Sequence, residues 1–204
     1  MFVSRPSDLL KGADFKLQRR QRMALGGSNG SGKSTFLALL TGLLPPVSGT
    51  IFLFGKECRD ENDFYPVRKK TGMLFQNRDE QLFCPTVAED IGFGPVNLGW
   101  NYSEVHRSIT DILDELAIPA LRNRLIDSLS EGEKQLVALA TVLIMNPALL
   151  IMDEPTSGLD ESARERLIAC LKKREATMVI VSHDHSFLEA VTDVKVTLAN
   201  GRIS

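Results

Sequence analysis

A chain of 204 residues, 43% of them apolar and 25% charged, has material for one globular domain with its own core and is too short for two independent enzymes. Lys and Arg number 24 against 26 Asp and Glu, and the formal charge of -2 supplies no global field to attract nucleic acid or anionic lipid. Disordered and fibrous classes are excluded by the same figures.

The start, Met1-Phe2-Val3-Ser4-Arg5-Pro6, lacks the apolar stretch of a signal peptide, and no apolar run approaches the roughly 18 to 20 residues that span a bilayer. The chain is therefore expected to be neither exported nor membrane-spanning by itself. Short apolar runs at 23–25, 51–54, 73–75, 149–152 and 178–181 read as buried strands. Between them lie helical patterns, the first over 34–40, which Gly42 and then Pro45-Pro46 stop. Strands alternating with helices imply an α/β domain.

From Gln76 to Ser130 the alternation lapses. Val105, Ile109, Ile112, Leu113 and Leu116 recur at helical spacing with no strand run among them, which predicts a helical insert. Residues 136–145 are apolar on nearly every face, so the helix they form should be buried on both sides. Near the end, Asn200-Gly201 between short alternating segments predicts a type I′ hairpin. Cys58, Cys84 and Cys170 lie too far apart for a zinc pair or a disulfide framework, which fits a reducing cytosol, and Cys84 is expected to be a small buried thiol.

Gly27-Ser28-Asn29-Gly30-Ser31-Gly32-Lys33-Ser34 fits the phosphate-loop pattern, and it stands after a strand run and before a helix, the context that the pattern needs. The glycines let backbone N–H groups turn toward phosphates, and the helix end adds partial positive charge. Lys33 reaches the terminal phosphates and Ser34 ligates magnesium. A nucleoside triphosphate with Mg2+ is the expected ligand. At 149–154, four apolar residues make a strand that delivers Asp153, placed to hold magnesium, and Glu154, placed to polarise an attacking water.

Leu129-Ser130-Glu131-Gly132-Glu133-Lys134-Gln135 resembles the signature motif of ABC-type ATPases. Gln76, Ser157-Gly158-Leu159-Asp160 and His183 follow in the order that family requires, so six elements match over nearly the whole chain. The resemblance implies a P-loop NTPase of the RecA-like ABC type with an inserted α-helical subdomain: one domain over 1–204, with 1–76 and 147–204 as nucleotide-binding core and 77–146 as helical subdomain. It also implies a sandwich dimer, formed with itself or a paralogous ATPase, that closes on two ATP molecules. Residue by residue, it assigns phosphate binding to Gly27, Ser28, Asn29, Gly30, Ser31, Gly32, Lys33, Ser34 and Thr35. A magnesium and water contact falls to Gln76, the metal to Asp153, the general base to Glu154 and a γ-phosphate contact to His183. Ser130 and Gly132 act on the partner's ATP, and Asp160 joins the nucleotide-binding set.

Two departures stand out. The family usually has Gly at Glu131 and Gln at Glu133, and a carboxylate at 131 facing the nucleotide would repel each unit of phosphate charge by about 2 kcal/mol at ~8 Å, weakening closure. The family's adenine-stacking aromatic also has no clear counterpart: Phe2 is the one aromatic near the start, and alignment on Pro6 places Arg5 there.

Residues 77–87 and 90–95 look like the ATPases of cobalt, nickel and vitamin importers of the energy-coupling-factor type, in which this region receives a helix of the membrane partner. Phe83, Pro85, Phe93 and Trp100 would suit that contact. The resemblance thus implies an ATP-hydrolysing importer subunit, peripheral on the cytoplasmic face of the membrane. Another transporter type, or a soluble ABC ATPase without a membrane partner, is the alternative. The long heptad arms of DNA-repair relatives are missing from the 53 residues between Gln76 and Ser130, so no nucleic-acid role is expected.

Overall fold

The computed structural model describes residue 10 and residues 12–204. Six strands form the main sheet in the order β4-β5-β6-β1-β7-β8. They are β1 (Arg22–Gly26), β4 (Thr71–Leu74), β5 (Leu149–Asp153), β6 (Thr177–Val181), β7 (Val194–Ala199) and β8 (Arg202–Ile203). All neighbours pair parallel except β7 and β8, which form the expected hairpin, with Asn200 at φ 51° and Gly201 at φ 76° in its turn.

Alternation along the strands sorts side chains into two layers. Met23, Leu25, Leu149, Ile151, Val179 and Val181 pack with Phe36 and Leu37 of α1 (Lys33–Leu40) on one face. Leu150, Met152, Met178 and Ile180 face the other way, into the larger cluster, where α5 (Glu131–Leu143), α6 (Glu161–Lys172) and α7 (His185–Val191) lie. Burial on both faces explains why β5 and β6 read as unbroken apolar runs.

The run at 51–54 behaves differently from its expectation as a buried strand. Its β2 (Ile51–Leu53) joins β3 (Lys56–Cys58) in a separate antiparallel pair, with Phe52 64% exposed. Phe54 and Gly55 both take positive φ, the requirement of a type I′ turn, so the chain reverses before it can reach the parallel sheet. The short helix α2 (Glu61–Arg68) follows, capped by Asp60.

Between β4 and β5 lie α3 (Val87–Asn97) and α4 (Tyr102–Glu115), each started by a capping box, Thr86 with Glu89 and Asn101 with Glu104. Val105, Ile109, Ile112, Leu113 and Leu116 are all buried, as their spacing predicts. Helix α5 packs against α3 and α4 and also against β4, which explains its apolar circumference. Cys58 and Cys170 are buried, and burial pushes the Cys170 thiol up to about 12, whereas Cys84 is only half-buried, contrary to expectation.

Arg164 ties α6 to α7: its Nε and Nη2 donate to the two carboxylate oxygens of Asp184 at 2.6 and 3.3 Å, while Asp184 caps α7 through the Phe187 N–H. The guanidinium holds the Asp184 carboxyl at about 2, against an ordinary 3.8. A carboxyl lowered in the folded state stabilises above its unfolded value and loses that contribution as pH falls, here between about pH 4 and pH 2, by up to about 2 kcal/mol. Thermal melting should therefore fall less steeply with acid in Asp184→Asn than in the wild type. Equal slopes would show that the pair adds nothing to stability.

Candidate functional site

Because β1, β4, β5 and β6 are parallel, their carboxyl ends open on one edge of the sheet, where α/β folds hold ligands. β1 runs into the loop 27–32, β4 into Gln76, β5 ends at Asp153 before Glu154, and β6 leads to Ser182 and His183. Residues from four distant stretches of sequence thereby converge.

The loop is shaped by its glycines. At Gly27, with φ 146°, a Cβ would stand 2.5 Å from the Leu198 carbonyl oxygen, and Gly32 starts α1 from a left-handed conformation at φ 103°. The Lys33 ammonium curls back to donate to the carbonyls of Gly27 and Ser28 at 2.7 and 3.0 Å. Ser31 Oγ is buried without a hydrogen-bond partner, an orphan donor within the loop. Cationic lysine, helix end and orphan hydroxyl together fit a polyphosphate.

Ser34 Oγ donates to Asp153 Oδ2 at 3.3 Å, and both line a cleft of about 510 Å3 together with Gln76, Asn77, Glu80 and Met73. Burial pushes the Asp153 carboxyl up, and the charge of Glu154 adds to this against the Ser34 hydrogen bond. A divalent cation would remove that penalty by supplying positive charge. No group of three His, Cys, Asp or Glu that could hold a metal occurs among the described residues. The Ser34, Asp153 and Gln76 oxygens suit magnesium, which takes few protein ligands and completes its shell with phosphate and water.

Glu154 adopts φ 52°, uncommon for a side chain of its size. Its backbone N–H donates to the Val181 carbonyl at 2.8 Å, and its Oε2 accepts from the His183 N–H at 3.2 Å and from Ser182 Oγ at 3.4 Å. His183 Nε2 stands 3.5 Å from Oε1, with the imidazole 71% exposed. The carboxylate is thus aimed and fixed beside the cleft.

Ser130, Gly132 and Asp160 lie apart from this group. Among the described residues, no hydrogen bond joins them to the loop 27–35. Ser130 caps α5, its hydroxyl and backbone N–H both donating to Glu133 Oε2 at 2.8 Å, and Asp160 caps α6 through the Ala163 N–H. Glu131 does not stand as an unpaired carboxylate: Arg78 Nη1 lies 3.2 Å away and Lys134 Nζ 3.7 Å. A phosphate approaching this helix start would therefore meet two cations together with the carboxylate, not the carboxylate alone. Phe2, Arg5 and Pro6, the positions weighed for adenine stacking, lie outside the described residues.

The sequence assigned no role to Arg78, to Gln135, which closes the signature-like motif, or to Ser182. Arg78 and Gln135 act only through tertiary contacts, and only the place of Ser182 at the end of an apolar strand marked it.

The profile of the ABC transporter family matches residues 10–157. The chain belongs to the ABC transporter family. It is 46% identical over 196 residues to a Brucella suis protein whose name places it among ABC transporter ATP-binding proteins, covering 96% of this chain and 82% of that one. It is 37% identical over 199 residues to the energy-coupling factor transporter ATP-binding protein EcfA of Methanocaldococcus jannaschii, covering 96% and 71%. In three dimensions it matches cbiO1 of Clostridium perfringens, part of the ABC transporter complex cbiONQ, with a TM-score of 0.84 and 33% identity over 96% of this chain and 80% of the other. This ABC ATPase is accordingly the ATP-binding and ATP-hydrolysing subunit of a transporter with a P-loop fold. None of its described helices is long and apolar enough to cross a membrane.

Proposed function

We propose that this ABC ATPase powers an energy-coupling importer for cobalt or nickel ions or a vitamin, as a dimer with itself or a paralogous ATPase, peripheral on the cytoplasmic face of the membrane. The observation that carries the reading is a division of the site. Lys33, Ser34, Gln76, Asp153, Glu154 and His183 converge at one sheet edge, while Ser130 and Gly132 sit at a helix end with no hydrogen bond to that loop. A helix N-terminus bearing a hydroxyl suits an anion, and a second copy supplies one. The import class rests on the likeness to EcfA and cbiO1.

In this reading 1–76 and 147–204 form the nucleotide-binding core and 77–146 the helical subdomain. Ser34, Asp153 and Gln76 would hold Mg2+, which would supply positive charge against the phosphates. Loop 27–35 binds the phosphates, with Lys33 as the point charge. Glu154 takes a proton from water, His183 orients the γ-phosphate side, and Ser130, Gly132 and Asp160 complete the partner's site.

The membrane partner docks beside α3. Phe83 and Phe93, 61% and 47% exposed, stack edge to face with centroids 4.7 Å apart, and Pro85 is exposed beside them. Asp90, buried, accepts from the Phe83 and Cys84 N–H groups at 3.0 and 3.3 Å and so holds the loop that presents them. Trp100 is half-buried and packed against the core, so it presents less surface than Phe83 and Phe93. Replacing Phe83 and Phe93 by Ser should abolish co-purification with transmembrane subunits from native membranes while ATP affinity stays unchanged, as expected for loss of a central aromatic pair. A double variant that keeps its membrane partners would remove this surface from the interface, and a wild type that carries none would defeat the importer reading.

A further inference from the structure

Arg78 touches none of the groups assigned to phosphate or metal, yet its side chain is only 14% exposed and reaches two other segments of the chain. Its Nε donates to Gln135 Oε1, its Nη1 stands 3.2 Å from Glu131 Oε2, and its Nη2 donates to the Ser157 carbonyl at 2.7 Å. Gln135, 1% exposed, extends the connection by donating to the Pro155 carbonyl at 2.8 Å and that of Glu154 at 3.4 Å. Beside it, Gly132 lies so near Gly158 that a Cβ would come within 2.7 Å of the Gly158 carbonyl oxygen. The turn after Gln76, the first turn of α5 and residues 154–158 are therefore fastened to one another.

These three segments serve different ATP molecules. Gln76 and Glu154 address the chain's own nucleotide, whereas Ser130, at the start of α5, addresses the partner's. We propose that Arg78 is a positioning residue that couples the two ATP sites of the dimer, by setting Ser130 against Gln76 and Glu154 of its own chain. The proposal rests on the dimer reading above. A guanidinium suits the task because its planar fork serves three acceptors at fixed angles, which a lysine ammonium does not. Buried, doubly connected Gln135 makes the link stiff, so a shift at Glu154 is carried to Ser130 rather than absorbed. Glu131, in place of the family's usual glycine, gives that fork its one anionic partner among the described residues.

The experiment uses full-length protein carrying Glu154→Gln, to which Arg78→Met and Arg78→Lys are added separately. Affinity for labelled ATP is measured on dilute monomer, and ATP-dependent dimerisation by ultracentrifugation. Coupling between sites typically spans about 5- to 150-fold, so Arg78→Met should weaken dimerisation at least about tenfold while monomer affinity stays within about twofold. Arg78→Lys keeps the charge beside Glu131 without the fork and should fall between. With Glu154 restored, the coupling predicts a sigmoidal dependence of hydrolysis on ATP in the wild type and a hyperbolic one in Arg78→Met. Dimerisation unaffected by both substitutions overturns the proposal alone. Equal loss of monomer affinity and dimerisation, or Arg78→Lys identical to Arg78→Met in a protein of lowered melting temperature, overturns it in favour of a folding role. Failure of Glu154→Gln itself to dimerise overturns the dimer reading, and the proposal with it.

Discussion

Glu154→Gln is expected to leave ATP bound and to cut turnover by about 100- to 10,000-fold, the range assigned to general-base catalysis. The site explains why binding should survive. Glu154 lies beside Asp153 but takes its hydrogen bonds from the His183 N–H and Ser182 Oγ, not from the phosphate loop. A glutamine keeps one carbonyl oxygen for those donors and the same size, so the turn following β5 has no cause to move. Only the basic oxygen is lost. The backbone at φ 52° costs about 1 to 3 kcal/mol for a non-glycine residue, and the Val181 carbonyl and the two carboxylate contacts hold it there. Such strain is tolerated where it aims a functional group, and the substitution preserves the aim. With hydrolysis blocked, the ATP-closed dimer should accumulate on size-exclusion chromatography. Hydrolysis at the wild-type rate, with monomer alone in the presence of ATP, would show that Glu154 is not the base.

Legibility of this chain followed the range of the interactions concerned. The phosphate loop was visible because its chemistry needs adjacent residues: glycines at fixed spacing, then Lys33 and Ser34 in the first turn of α1. Strands β5 and β6 were visible because burial on both faces leaves nothing but apolar side chains, and α4 because one buried stripe recurs at helical spacing. What stayed hidden depends on partners far away in sequence. The run 51–54 is as apolar as a core strand, and only the turn at Phe54-Gly55, which lacks the usual Asn-Gly signal, sends it into a separate hairpin. β7 alternates in burial and so looked like half of a small hairpin, but it extends the main sheet by pairing parallel to β1. Glu131 read as an unpaired charge because its main partner, Arg78, lies 53 residues earlier. Trp100 gave no sign of whether it faced solvent or core.

Lys33→Ala should weaken ATP binding by about 2 to 4 kcal/mol, roughly 30- to 1,000-fold, and abolish hydrolysis. In the structure the ammonium is held by two carbonyls of its own loop, those of Gly27 and Ser28, at 2.7 and 3.0 Å. Those contacts hold the charge against the glycine-rich loop. They are also partly solvent-exposed, so their loss costs the nucleotide-free protein little, and its melting temperature should barely change. The penalty falls on the complex, where the terminal phosphates lose their one lysine charge while Asp153 and Glu154 remain near by. An uncompensated cluster of negative charge then opposes binding, and the helix end, worth about 0.3 to 1 kcal/mol, does not replace a full cation. Titration of labelled ATP against both proteins, with thermal melting of each alone, separates the two origins. Equal affinities would show that the glycine-rich loop is not the phosphate site, and a large fall in melting temperature would trace the loss to a collapsed loop rather than a missing charge.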